Sequence, residues 1–167
     1  NRRPGVMTAF YDALGVYLDG AFGQDGRKVL LMYSDGYDTR SRMQFSDTLE
    51  LLRASDVTVY AIGFQGYIPS YDRGRERLKL EQLAEITGGR VFFPNDVDAL
   101  EGIYEDIGRE LETRYALGYI STNSNADGTW RRVEVKVRPT RSELSDIKIR
   151  TRQGYYALYQ EPDSDPR

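Results

Sequence analysis

The chain has 167 residues, 40% hydrophobic and 29% charged, enough for one medium globular domain or a small domain with an appendage. It contains neither Cys nor His, which excludes disulfides, thiolate zinc sites and a Ser-His-Asp or Cys-His hydrolase within this chain. No apolar run approaches the roughly 20 residues of a membrane-spanning helix, and the opening Asn-Arg-Arg-Pro is neither an initiator Met nor a signal peptide, so a processed or excised chain is expected. Charge is uneven: residues 114–152 carry nine Lys and Arg against four Asp and Glu, a local +5, while the rest of the chain is 14 against 22, a net −8. Two regions of different character follow.

Met7, Phe10, Tyr11, Leu14, Leu18 and Phe22 recur at spacings of three and four, which predicts an amphipathic helix from about residue 7 to 21, ended by the glycines at 20, 23 and 26. Lys28-Val-Leu-Leu-Met-Tyr33 is a nearly continuous apolar run before Ser34-Asp35-Gly36, the pattern of a parallel strand covered on both faces. A helix over about 46 to 54 with Phe45, Leu49 and Leu52 inward leads to a second buried strand, Val57 to Gly63. Residues 64–76, rich in Gly, Tyr and Arg, are expected to form a loop. Leu80, Leu83, Ala84 and Ile86 then mark a helix closed by Gly88-Gly89, one of which takes a positive φ, and Arg90 to Phe93 is the third strand. A longer helix follows from Asp96 or Asp98, with Leu100, Ile103, Tyr104, Ile107 and Leu111 inward.

From Tyr115 the period changes to two. Val133, Val135 and Val137 alternate with Glu134, Lys136 and Arg138, and Ile147 and Ile149 with Lys148 and Arg150, which predicts half-exposed antiparallel strands with the valines and isoleucines buried. Asn123 to Gly128 and Pro139 to Ser145 supply the turns. The expected organisation is an α/β domain over 1–113, a β-meander appendage over 114–159 and a flexible tail over 160–167.

Ligands of open α/β sheets bind beyond the C-terminal ends of the strands. Asp35 stands at such an end, with Gly36 letting the backbone turn away, and a buried carboxylate there needs a cation or several donors. An all-oxygen site suits a hard divalent ion, and Thr8, before the first helix, offers a hydroxyl; the alternative is that Asp35 caps a turn and Thr8 a helix.

Gly5-Val-Met-Thr-Ala-Phe-Tyr-Asp-Ala-Leu14, Lys28 to Asp38, Val57 to Gly63 and Leu83-Ala-Glu-Ile-Thr-Gly-Gly-Arg-Val-Phe-Phe93, in that order, resemble a von Willebrand factor A (VWA) domain. The continuation Arg114-Tyr-Ala-Leu-Gly-Tyr119, Gly128 to Val137 and Gly154-Tyr-Tyr-Ala157 resembles the bacterial VWFA-related, acidobacterial-type subgroup. The resemblance implies a Rossmann-like α/β sheet flanked by helices, here N-terminally incomplete, with the β-meander added. It implies a metal-ion-dependent adhesion site (MIDAS) for Mg²⁺, or Mn²⁺ or Ca²⁺, in which Thr8 and Asp35 match the family's Thr and later Asp. The first-strand Asp-x-Ser-x-Ser has no counterpart, so incomplete coordination is expected. The absent strand belongs beside Lys28–Tyr33, which would keep one edge unpaired and leave the isolated chain self-associating or marginally stable. The resemblance also implies an exported, periplasmic or extracellular, protein.

Other patterns point less far. Asp35-x-x-Asp38 has the wrong spacing for an aspartyl-phosphate pair, and Gly63 and Gly66 do not form a dinucleotide fingerprint. The basic stripe through Arg132, Lys136, Arg138, Lys148, Arg150 and Arg152 reads as an anion-facing surface or as a solvated sheet face, and Tyr155, Tyr156 and Tyr159 as an interface cluster or as packing. Asp38, as an outer acceptor or a plain loop residue, and Tyr67, Tyr71 and Arg73, in a loop beyond a strand end, are the candidate partner contacts. The expected function is a non-enzymatic protein-binding module whose metal accepts a partner's carboxylate, with no nucleic-acid partner. The alternative is a metal-independent assembly domain that docks on the missing N-terminal part.

Overall fold

A computed structural model describes residues 7–64, 70–138 and 148–160. Its elements run α1 (Phe10–Ala21), β1 (Lys28–Ser34), α2 (Phe45–Ala54), β2 (Val57–Gly63), α3 (Ser70–Glu85), β3 (Arg90–Phe92), α4 (Ala99–Glu112), β4 (Trp130–Arg132) and β5 (Gly154–Tyr156). β1 pairs parallel with β2 from Lys28↔Val57 to Ser34↔Gly63, and β2 pairs parallel with β3 from Tyr60↔Arg90 to Ile62↔Phe92. The order β1-β2-β3 makes β2 central and buried along its whole length, and leaves the second edge of β1 without a strand among the described residues.

Strand alternation divides the apolar side chains between two cores. Met32, Val57, Val59 and Ala61 meet Phe10, Tyr11, Leu14 and Leu18 of α1, Leu52 of α2, and Leu80 and Leu83 of α3. On the other face Tyr60 and Phe92 meet Ile107 of α4, with Val29, Leu31, Ile103 and Leu111 against them. The continuous apolar runs of β1 and β2 have this cause: both faces of the sheet are covered. Thr87, fully buried, joins helix to sheet, its hydroxyl accepting the Val59 N–H at 2.9 Å and donating to the Ala84 carbonyl at 2.8 Å. Gly88 is the glycine of the pair with positive φ, +76°.

Several expectations are corrected. The segment 64–76 is not all loop, because α3 starts at Ser70. Its first two turns are charged rather than amphipathic, and pairs such as Asp72–Arg75, Glu76–Lys79 and Arg77–Glu81 support the helix where an apolar stripe would not reveal it. Met7 and Phe22 lie outside α1 and are exposed, and Tyr104 faces outward on α4, beside Tyr33, instead of inward.

In the C-terminal third, β4 and β5 are antiparallel from Trp130↔Tyr156 to Arg132↔Gly154, and the ladder continues through Val133 N–H to the Gln153 carbonyl at 2.9 Å. Val133 and Val135 are half-buried, whereas Val137 and Ile149 are exposed; Ile147 and the expected 139–145 turn lie outside the described residues. The expected strand through Val133 to Val137 is not assigned, since β4 ends at Arg132, and the alternation there is present without the burial expected of it. The basic stripe is not uniformly solvated either. Arg152, half-buried, donates to the carbonyls of Leu52 and Arg53 at 3.1 and 3.2 Å, capping the end of α2. Tyr156 hydrogen-bonds Glu50 and Arg53 stacks over Trp130 at 5.5 Å, so this small sheet is docked on α2.

Candidate functional site

The register Ser34↔Gly63 puts the C-terminal ends of β1 and β2 side by side at one edge of the sheet. At the end of β1 two short polar turns succeed one another. Ser34 Oγ accepts the Gly36 N–H, and Asp35 Oδ1 accepts the Tyr37 N–H, both at 3.0 Å. Gly36 has φ +82°, and a Cβ there would stand 3.1 Å from the Glu76 carbonyl oxygen and from Leu80 Cγ. The turn is thus pressed against α3, and only glycine combines that φ with that closeness.

The loop then closes on the start of α1. Helix α1 has Ala9 at its N-cap and no side-chain cap of its own. Asp38 supplies one in trans, its Oδ2 accepting the Tyr11 N–H at 3.1 Å, while Oδ1 accepts the N–H groups of Arg40 and Ser41 at 3.2 and 3.0 Å. Ser41 Oγ donates to Asp38 Oδ2 and accepts the Asp12 N–H at 3.0 Å. Asp12 answers in the opposite direction, its carboxylate accepting the N–H groups of Arg42 and Met43. The result is a reciprocal capping box assembled from two distant segments. Partial burial opposes charge on Asp38, but the Ser41 hydroxyl and the backbone N–H groups of Ser41, Tyr11 and Phe10 outweigh it and hold the carboxyl below the usual range.

Thr8 is fastened to the same loop. Its N–H donates to Thr39 Oγ1 at 3.0 Å, and its carbonyl accepts the N–H groups of Thr39 and Arg40 at 3.0 and 3.2 Å. The two residues singled out as metal ligands, Thr8 and Asp35, therefore lie on segments joined backbone to backbone. Tyr71, 83% exposed, and Arg73 sit on the first turn of α3, which follows the end of β2; Tyr67 lies outside the described residues.

A group that the sequence reading missed stands behind this edge. Glu76 is 1% exposed, and both its carboxylate oxygens accept from Lys79 Nζ at 3.0 Å, with Arg75 Nε at 3.2 Å. Burial pushes the Tyr11 phenol up, against the pull of the neighbouring Lys79. Glu76 is one helical repeat before Leu80 and Leu83 on the same stripe, a signal legible once α3 is begun at Ser70.

Thr8 and Asp35 offer a hydroxyl and a carboxylate, the oxygen donors that a hard dication takes, but among the described residues no group of three or more Asp, Glu, His or Cys is placed to hold an ion. A shallow groove of about 800 Å³ adjoins the Asp12 side of this clasp, lined by Asp12, Arg42, Met43, Leu51 and Tyr156 among others. No described helix is long and apolar enough to cross a membrane.

Comparison with known proteins is consistent with this architecture. No curated protein matches the chain. The family model of the von Willebrand factor type A domain matches residues 6–106, which include α1 through β3, Thr8, the Asp35 loop and most of α4. The chain belongs to the von Willebrand factor type A domain family.

Proposed function

We propose that this chain is a protein-binding module in which a divalent cation at the strand ends takes a carboxylate of a partner protein as its last ligand. Domains of the family are generally protein-interaction modules and typically not enzymes. Thr8 and Asp35 are the residues of this chain that would hold the cation, Mg²⁺ by preference, with Mn²⁺ or Ca²⁺ accepted by the same donors. Bound there, the ion supplies the positive charge that an outside carboxylate completes.

The observation that carries the reading is a contrast between two neighbouring carboxylates. Among the described residues Asp38 spends its oxygens on at least four donors, while Asp35 accepts one N–H, that of Tyr37. Asp35 keeps acceptor capacity at the edge where ligands of such sheets bind, and the clasp through Asp38 holds Thr8 on the same loop. Asp38, Tyr71 and Arg73 are the proposed partner contacts, together with Tyr67, which lies outside the described residues.

Two ligands do not fill a cation's shell. A preceding strand that pairs with the open edge of β1 and ends in Asp-x-Ser-x-Ser would supply the others, and an exported setting accords with the family resemblance. The second reading, a metal-independent assembly domain, rests on that same open edge.

Calorimetric titration of Mg²⁺ into the chain extended by its preceding segment tests the first reading. Binding that Asp35→Ala abolishes, together with partner capture lost in EDTA, is the expected result. Partner capture untouched by EDTA and by Asp35→Ala would hand the site to the assembly reading.

A further inference from the structure

The link from α4 to the small sheet is both apolar and exposed. Tyr115-Ala-Leu-Gly-Tyr-Ile120 contains no charged residue, yet every one of its residues is exposed: Tyr115 to 92%, Leu117 to 76% and Ile120 to 95%. The six peptide units make no backbone hydrogen bond within the described residues, which leaves a row of donors and acceptors unpaired by any of these beside apolar side chains. Aromatic and branched residues of this kind favour strands, and an open row of this composition is a template for pairing.

The segment is held at both ends. Before it, Arg114 donates to Thr58 Oγ1 at 3.0 Å and to the Gly88 carbonyl at 3.4 Å. Within it, the Tyr119 ring meets Tyr155 of β5 edge-on at 6.2 Å. Anchoring lowers the ordering cost that a pairing partner would otherwise have to offset.

Charge selects the partner. The region 114–152 is +5, and the exposed Arg132, Arg138 and Lys148 make no ion pair among the described residues, unlike Lys136 with Glu134 and Arg150 with Glu110. A second copy would bring the same positive charges against these, whereas an acidic strand would be drawn to them.

We propose that Tyr115–Ile120 is a pairing edge for an extended segment of a partner protein whose apolar residues alternate with acidic ones. Main-chain hydrogen bonds give such an addition its affinity and the alternating side chains its selectivity. The surface shares no residue with the strand-end site, so it stands whether or not that site binds metal.

The test is fluorescence anisotropy of a labelled, capped peptide of alternating Val and Glu added to the 167-residue chain in EDTA. Saturable binding about tenfold tighter than for a Val and Lys peptide is expected, as is a loss of about tenfold when alternate peptide nitrogens are methylated. Leu117→Pro should weaken binding similarly, and Arg132→Glu with Lys148→Glu should erase the preference for the acidic peptide. No binding, equal binding of the Val and Lys peptide, or indifference to N-methylation would overturn the proposal, the last without depending on any variant's folding. A concentration-dependent dimer dissolved by Leu117→Pro would assign the edge to a second copy and overturn it as well.

Discussion

The Asp38 carboxylate accepts the Tyr11 backbone N–H at 3.1 Å across 27 positions of chain, so α1 is capped by the loop that leaves β1. Helix start and strand end are thereby one structural unit, and Thr8 and Asp35 ride on its two halves.

Asp38→Ala is expected to cost about 1–2 kcal/mol in denaturant unfolding, the usual worth of an N-cap, and Asp38→Asn less, since it keeps an acceptor oxygen. The folded carboxyl lies below its ordinary range, so its contribution is present above the unfolded-state value and is lost as pH falls through the folded one. The wild type should lose stability on acidification below about pH 4 more steeply than Asp38→Asn. Parallel acid profiles for the two proteins would show that the cap is not charged in this way.

Glu76 and Lys79 form a pair with one buried member. Glu76→Ala should destabilise the fold by about 3 kcal/mol, the lower end for a broken buried pair because Lys79 is partly exposed and reaches water. Replacing both, Glu76→Leu with Lys79→Leu, should return to within about 1 kcal/mol of wild type. A double-mutant cycle from urea melts measures the coupling, and additive losses would refute it.

Arg152→Ala should cost about 2 kcal/mol and release β4 and β5 to limited proteolysis before the α/β layers yield, since it removes two charge-assisted bonds to the end of α2. Both bonds come from the single Nη2, so Arg152→Lys should restore part of this, as far as its shorter stem can bring an ammonium to the same two carbonyls. Full rescue by Lys would mean that charge alone matters there.

Gly36→Ala places a Cβ at φ +82° and 3.1 Å from the Glu76 carbonyl oxygen. About 1–2 kcal/mol of stability should go, with hydrogen exchange quickening in residues 35–41. An unchanged melting temperature would show that the turn relaxes away from α3.

Periodicity made much of the α/β frame legible. Spacings of three and four in α1 and the unbroken apolar runs of β1 and β2 report directly on which faces meet a core, and that information is local. The same patterns exposed Asp35 at a strand end. Charged helix turns carry no such record, so the first half of α3 and its buried Glu76 emerge only when packing brings Tyr11, Lys79 and Gly36 around them. Alternation in the valines predicts a strand, yet β4 ends at Arg132 and beyond it only the Val133 N–H extends the ladder; alternation says which residues share a face and not whether a partner or another layer covers that face, and among the described residues Val137 and Ile149 remain open.

Composition, order and spacing by themselves determined the parallel α/β sheet, the absence of Cys and His chemistry, and the position of Asp35. Tertiary structure decided what each polar group does. Asp35 and Asp38 are two similar loop carboxylates three positions apart, yet one is spent on the start of a distant helix and the other is not. Likewise Arg152, one basic residue among several in an alternating stripe, became the cap of α2. Hydrogen bonds between segments 27 to 100 positions apart depend on where the chain returns, which side-chain periodicity does not encode.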